Sequence, residues 1–275
     1  MEGQIIKIIR DIHYVKSNDE IYDCKCRGKL RNEKTTPLVG DFCIFNKEKK
    51  VVDKILPRKN ELKRPPVSNI DQAIIVTSVV EPKFSTNLLD KFITVVKLNN
   101  IEPIICITKK DIATESEVCE VENILKYYRE IGLKVIDNQN INNVLSILEN
   151  KTTVFTGQTG AGKSTLLNKL NSEFNLEVGE ISKALGRGKH TTRIISLLDI
   201  NNGKVLDTPG FSALDLSGFT NQQIKDSFKE FDAYPCVYKD CSHTKEEECL
   251  VKQAVKDNNI LKTRYENYIN FIERR

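Results

Sequence analysis

Gly157-Gln158-Thr159-Gly160-Ala161-Gly162-Lys163-Ser164-Thr165 spells the phosphate-binding pattern G-x-x-x-x-G-K-S/T without a mismatch. The glycines permit a tight turn whose N–H groups converge on phosphate oxygens, aided by the positive end of the helix that follows. Lys163 is placed to reach the β- and γ-phosphates, and the Ser164 hydroxyl to ligate Mg²⁺. Ahead of the loop, Thr153-Val154-Phe155-Thr156 reads as a short buried strand. Behind it, Ser164 to Leu170 carries apolar residues at helical spacing. That strand–loop–helix setting is what the motif requires, and it sets the expectation of a nucleoside triphosphate site.

Two further segments select the nucleotide. Val205-Leu206-Asp207-Thr208-Pro209-Gly210 is a strand running into D-x-P-G, where Asp207 can hold a water of the Mg²⁺ shell and the Gly210 N–H can meet the γ-phosphate. Ile104 to Ile107 is an apolar strand running into Thr108-Lys109-Lys110-Asp111. A carboxylate at Asp111 accepts two hydrogen bonds from the N1–H and 2-amino group of guanine, which adenine cannot supply, and a site with unpaired polar groups discriminates strongly. Alone, T-K-K-D reads as a solvated loop; at the end of an apolar strand with two partner motifs it reads guanine. The base-reading segment precedes the phosphate loop and D-T-P-G follows it, an order that a circularly permuted chain produces because domain termini lie close together. In that order the segment leaving D-T-P-G runs straight into the C-terminal element, so movement of one would pass to the other.

A second set of chemistry-bearing residues lies near the C-terminus: Cys236, Cys241, His243 and Cys249. Three thiols and one imidazole at this spacing suit a tetrahedral zinc ion with no open position, hence a structural one; unrelated thiols are the alternative. The ion would lock a loop between a helix at Gln222–Phe231 and a long helix at Leu250–Ile272. Glu246, Glu247 and Glu248 read as a solvated acidic run rather than ligands.

The elements that must position these groups follow from pattern. Gln4 to Val15, Ile21 to Leu30, Asp41 to Phe45 and Val51 to Leu56 are β-branched or aromatic segments between Gly, Asn, Asp and Lys. A small barrel of roughly five strands, of the oligonucleotide-binding kind, is the economical solution. The basic stretches Arg27-Gly28-Lys29-Leu30-Arg31 and Arg58 to Arg64 are either phosphate contacts or solvated loops. Cys24 and Cys26 face one side of a strand and are core packing before metal. Pro65-Pro66 marks the exit. From Gln72 onward strands alternate with helices, at Thr86–Leu98, Glu115–Glu130 and Ile141–Leu148. Such alternation implies a mostly parallel sheet with helices on both faces and nucleotide at the carboxyl ends of its strands. The expected domains are 1–66, an OB-like β-barrel; 67–218, a P-loop GTPase domain; and 219–275, a helical zinc-binding domain.

Composition is compatible. The 275 residues carry a net charge of +4, so the chain is no polycation, and its eight cysteines are too few for a disulfide scaffold. No run of about 18 apolar residues predicts a membrane span. The N-terminus lacks the apolar stretch of a secretory signal, and a reducing cytoplasm is expected.

Taken in order, T-K-K-D, G-Q-T-G-A-G-K-S-T, Gly186-Arg187-Gly188-Lys189-His190-Thr191-Thr192-Arg193, D-T-P-G-F and C-x4-C-x-H-x5-C resemble the RsgA family of circularly permuted GTPases dependent on the small ribosomal subunit, across the whole chain. The segment Leu56 to Pro65 is similar to that family's junction between barrel and GTPase domain. The resemblance implies GTP hydrolysis stimulated by the 30S subunit, a role in late 30S maturation and contacts to 16S rRNA. The alternative is a GTP-gated RNA-binding factor with negligible hydrolysis; a metabolic P-loop kinase is disfavoured by T-K-K-D and D-T-P-G. Thr192 is the expected Mg²⁺ ligand of the switch segment, with Thr191 the alternative. Phe211 stands where many GTPases carry a water-positioning glutamine, so the catalytic group must come from elsewhere. His190 is the candidate, with an RNA contact as its other reading. The serine of a fifth GTPase motif is absent near Val135-Ile136-Asp137-Asn138, and Gly160 replaces the asparagine of potassium-activated GTPases. A monomer is expected.

Overall fold

The computed structural model describes residues 1–27, 36–63, 65–171, 195–206 and 214–273. The switch segment with His190, Thr191 and Thr192, the D-T-P-G turn with Asp207 and Gly210, and the basic loop after Arg27 lie outside the described residues.

Five strands close into a barrel: β1 (Glu2–Ile9), β2 (Ile12–Ser17), β3 (Glu20–Cys26), β4 (Phe42–Asn46) and β5 (Val51–Ile55), in the order β1-β2-β3-β5-β4. β1 pairs antiparallel with both β2 and β4, which completes the closure, and β3 runs parallel to β5. The expected single strand from Gln4 to Val15 is instead a tight hairpin, turned at Arg10 in the left-handed region (φ 54°). Alternation sends Ile5, Val15, Cys24, Cys43, Phe45 and Val52 inward to form the barrel core. Cys24 and Cys26 both belong to this packing, Cys26 lying 3.6 Å from the His13 ring. Burial holds the His13 pKa below its usual value, and it pushes the Cys43 thiol up to about 12.

A short hairpin follows, β6 (Glu61–Lys63) with β7 (Pro66–Ser68), and Pro66 opens its second strand, a position that needs no ladder donor. Arg58 is not free for phosphate. Its guanidinium grips the fully buried Asp41 at 2.7 and 2.8 Å and also pairs with Glu61 at 2.5 Å.

The remaining strands form one sheet, in the order β10-β9-β8-β11-β13-β12. These are β8 (Gln72–Ser78), β9 (Glu102–Thr108), β10 (Lys134–Asp137), β11 (Thr152–Gly157), β12 (Leu197–Ile200) and β13 (Gly203–Leu206). Every residue of β8 is buried, as is all of β9 beyond Glu102, the continuous apolar run of a strand covered on both faces. β9 runs parallel to β10 and β11 to β13, while β12 is antiparallel at the rim. Between them lie α1 (Thr86–Leu98), α2 (Glu115–Glu130), α3 (Ile141–Leu148) and α4 (Lys163–Leu170). Their starts are legible: Ser85 caps α1, and Thr114 with Glu117 forms a capping box on α2.

The chain clusters into two compact units. One holds residues 1–74, 138–156 and 163–212; the other holds 75–137, 157–162 and 213–275. In the first, the barrel lies along the rim hairpin: Lys7 bridges to Ser196, Lys16 pairs with Asp199 at 2.5 Å, and Lys204 donates to Gln4 at 2.5 Å.

In the second unit, α5 (Asn221–Asp226), a 3₁₀ turn over Lys229–Ala233, α6 (Leu250–Lys256) and α7 (Lys262–Glu273) replace the two helices expected from sequence. The first expected helix breaks where the Ser227 hydroxyl bonds back to the Ile224 carbonyl and Phe228 leaves helical geometry to bury its ring. The second breaks at Asp257-Asn258-Asn259, where Asn258 turns left-handed (φ 59°) and Ile260 is buried. From α7, Arg264 reaches Asp90 of α1 at 2.6 Å and Glu230 at 2.7 Å, with both Arg264 and Asp90 fully buried. Tyr128 and Asn267 also donate to Asp90, each at 2.6 Å, and the guanidinium carbon lies 4.1 Å from the centre of the Phe228 ring. Among the described residues no helix is long and apolar enough to cross a membrane.

Candidate functional site

The turn Gly157–Gly162 of the phosphate-loop motif and the T-K-K-D segment meet inside the second unit. The Thr108 hydroxyl, at the end of β9, donates to the Ala161 carbonyl of the loop at 2.7 Å, and Val79 N–H donates to the Thr108 carbonyl at 3.1 Å. Lys109, left-handed at φ 59°, turns its ammonium to the Glu81 carbonyl. Lys110 is drawn to Glu122 at 2.7 Å and Asp137 at 3.3 Å, so Asp137 of the expected fifth motif is occupied in anchoring the T-K-K-D turn. Asp111, the last residue of the segment, is exposed.

The loop's glycines are required by geometry. Gly157 stands at φ +134°, and a Cβ there would lie 2.0 Å from the Val76 carbonyl oxygen of β8. Gly162 stands at φ +92° with nothing nearer than Thr108 at 3.9 Å, an open face on which backbone N–H groups can meet an anion. Lys163 follows at the start of α4, and burial draws its pKa down from 10.5 to about 8. A lysine desolvated in this way gains most when a phosphate arrives beside it.

The second site is assembled in the same unit. The ligand atoms of Cys236, Cys241, His243 and Cys249 lie within 4.8 Å of one another. His243 Nδ1 is 3.5 Å from the Cys236 sulphur and 3.4 Å from that of Cys249, and the two sulphurs are 3.7 Å apart. A tetrahedral ion with metal–sulphur bonds of about 2.3 Å and metal–nitrogen bonds of about 2.0 Å spaces its ligand atoms by roughly 3.5–3.8 Å. The donor set and its spacing therefore fit zinc, with Nδ1 as the ligating nitrogen. Burial lowers the His243 pKa and favours the neutral ring that a metal needs. Burial opposes ionisation of Cys236, but the N–H groups of Val251 and Leu250 at the start of α6, together with the Cys241 and Cys249 thiols, bring that thiol down; Cys241 is pushed up to about 12, chiefly by burial.

One expectation for this loop is overturned. Glu247 and Glu248 are exposed, as a solvated run should be, but Glu246 is half-buried and accepts from Ser242 and Thr244. A carboxylate three places beyond a ligand histidine was the available signal. The links from Tyr265 to the His243 carbonyl (2.7 Å) and from Tyr268 to the Ser242 carbonyl (2.6 Å) had none, because both come from a separate helix.

A five-stranded barrel, a mostly parallel sheet carrying a phosphate-loop motif after the T-K-K-D turn, and a Cys₃His cluster together define a circularly permuted P-loop GTPase with a metal-binding C-terminal segment. The RsgA GTPase family matches residues 55–217, and the RsgA N-terminal domain matches residues 2–52. The chain belongs to the RsgA GTPase family and is a GTP hydrolase. It is 44% identical over 285 residues to the "Small ribosomal subunit biogenesis GTPase RsgA" of Bacillus velezensis, covering 99% of this chain and 96% of that one. Among solved structures it is similar to YloQ, described as a circularly permuted GTPase, with 36% identity and a TM-score of 0.84 over 98% of this chain and 93% of that one. It is also similar to YjeQ from Thermotoga maritima, with 31% identity and a TM-score of 0.87 over 100% and 99% of the two chains.

Proposed function

We propose that this GTPase acts in late maturation of the 30S ribosomal subunit, contacting 16S rRNA, and that the subunit switches its hydrolysis on. The full-length similarity to a relative named for small ribosomal subunit biogenesis carries the reading. The barrel adds support: Phe42 and Ile44 are exposed on one face of β4, with Lys54 paired opposite Ile44, which offers a ring and a cation to a nucleic acid. The division of labour is barrel 1–66 for RNA, 67–218 for GTP and 219–275 for zinc, in a cytoplasmic monomer.

Within the nucleotide site, Gly157 to Thr165 cradle the phosphates, Thr108 to Asp111 read guanine, and Asp207 and Gly210 attend the γ-phosphate side. Ser164 and Thr192 hold Mg²⁺, which supplies charge neutralisation across the β- and γ-phosphates. His190 orients the attacking water. The test is GTP hydrolysis by the purified protein with and without 30S subunits, with ATP as control. Slow, GTP-selective turnover that rises by orders of magnitude with subunits is the expected result. Tight subunit binding without acceleration would leave a GTP-gated binding factor and remove His190 from catalysis, and equal use of ATP would sink the role of Asp111.

Lys163 gives the site a pH signature. Its ammonium is the form that meets phosphate, and in the free protein that form is lost as pH rises through about 8. GTP affinity measured by titration should be flat up to about pH 7 and weaken above 8, approaching about tenfold per pH unit. A Lys163→Met variant should bind weakly and show no such slope; an equal slope in that variant would move the titration to another group. The same depression has a folding consequence of defined sign. The unfolded chain holds this proton to 10.5, so burial of Lys163 costs stability at neutral pH, and the cost shrinks between pH 8 and 10.5.

A further inference from the structure

His243 is held in a conformation that a residue with a side chain rarely adopts: its φ is +58°. Such backbone persists only where its surroundings fix it. Here one carboxylate grips the chain on both sides of the histidine. Glu246 Oε1 accepts from the Ser242 N–H at 2.6 Å and from the Ser242 hydroxyl at 2.8 Å, while Oε2 accepts from the Thr244 N–H at 2.9 Å. The two tyrosines of α7 hold the carbonyls of Ser242 and His243, and Lys252 of α6 donates to the carbonyl of Glu246 itself at 2.8 Å. The imidazole is buried and packs edge-on to the Phe231 ring at 5.5 Å, so with its backbone set Nδ1 faces the sulphurs of Cys236 and Cys249.

We propose that Glu246 is a positioning residue for the metal: it sets the Ser242–Thr244 turn so that His243 completes the donor set, without itself reaching the ion. The inference rests on the zinc reading of the cluster. Glu247 and Glu248 share the same charge and the same loop but face solvent, so they serve as matched controls.

The test uses the full-length protein and two readouts: competition for Zn²⁺ against a chelator of known affinity, and the absorption spectrum after loading with Co²⁺. Glu246→Gln keeps the size of the side chain but replaces one acceptor oxygen with an amide that can only donate. It should weaken zinc binding by about 10–100-fold, the usual cost of losing an outer-shell partner, and shift the Co²⁺ spectrum away from the wild-type three-sulphur, one-nitrogen pattern. Glu247→Gln should leave both readouts unchanged. Saturating zinc should return the thermal unfolding midpoint of Glu246→Gln toward wild type, as a binding defect requires. Wild-type affinity and spectrum in Glu246→Gln, with only a lowered midpoint, would reduce Glu246 to a loop-packing residue and overturn the proposal. If the Gln variant does not fold, Glu246→Asp replaces it: its shorter reach should also weaken zinc, and wild-type affinity there would overturn the proposal equally. Failure of the wild-type protein to take up either ion would instead sink the zinc reading itself.

Discussion

Replacing Arg264 with alanine should lower the stability of the protein by about 3–5 kcal/mol, the cost of leaving buried charges without their partner. Asp90 is fully buried and Glu230 is 5% exposed, and both have Arg264 as an ion-pair partner. Tyr128 and Asn267 would still donate to Asp90, but neither neutralises it. The side chain also contributes packing, since its guanidinium lies over the Phe228 ring at 4.1 Å. Urea unfolding followed by circular dichroism measures the loss. Part of it should return when Arg264→Met is combined with Asp90→Asn, because that pair removes a charge as well as its partner. A loss below about 1 kcal/mol in Arg264→Ala would mean that water reaches these carboxylates and that the network contributes little.

Gly157→Ala should be the most damaging single methyl in the nucleotide site. The added carbon would sit 2.0 Å from the Val76 carbonyl oxygen and 2.9 Å from its carbon, both backbone atoms of a buried strand that cannot swing aside. The φ of +134° adds strain for any residue with a Cβ. Overpacking and strain of this kind each cost about 1–3 kcal/mol. Relief requires the loop to move off β8, which disperses the N–H groups meant for phosphate, so GTP binding by calorimetry should be lost together with stability. Gly160→Ala is the contrast. Its φ is +82°, but its nearest neighbour is a proline ring atom at 3.5 Å, so the same methyl meets ordinary contact and only the strain remains. Equal GTP affinity in wild type and Gly157→Ala would show that the loop does not depend on its close approach to β8.

The features read from sequence and met again in the structure are those whose cause is local. The Cys₃His set lies within one loop, from Cys236 to Cys249. α1, α2 and α3 begin at caps written beside them: Ser85, Thr114 with Glu117, and Asn140. The closed barrel was legible because its β-branched and aromatic segments are set off by Gly, Asn, Asp and Lys, although the turn that splits β1 from β2 was not. What was missed depends on partners far along the chain. The break after Asp226 exists because Phe228 has a core to enter, and the break after Lys256 because Ile260 does. Arg264 and Asp90 are 174 residues apart, and nothing around either announces a buried ion pair. Glu246 was misread for a related reason, since composition marks an acidic triplet as solvated and cannot show that its first member bends back on the loop.

The strand at the rim of the sheet has one further consequence. β12 ends the strand order, and a terminal strand presents unpaired N–H and C=O groups on which another chain can add itself. In this protein β1 lies beside it, through the bridge from Lys7 to Ser196 and the pair from Lys16 to Asp199, with Lys204 of β13 tied to Gln4. The barrel thereby acts as a guard rail for this edge. A fragment stripped of it would keep the described part of the phosphate-loop motif and the T-K-K-D turn yet carry an open seam, and its first failure would be self-association.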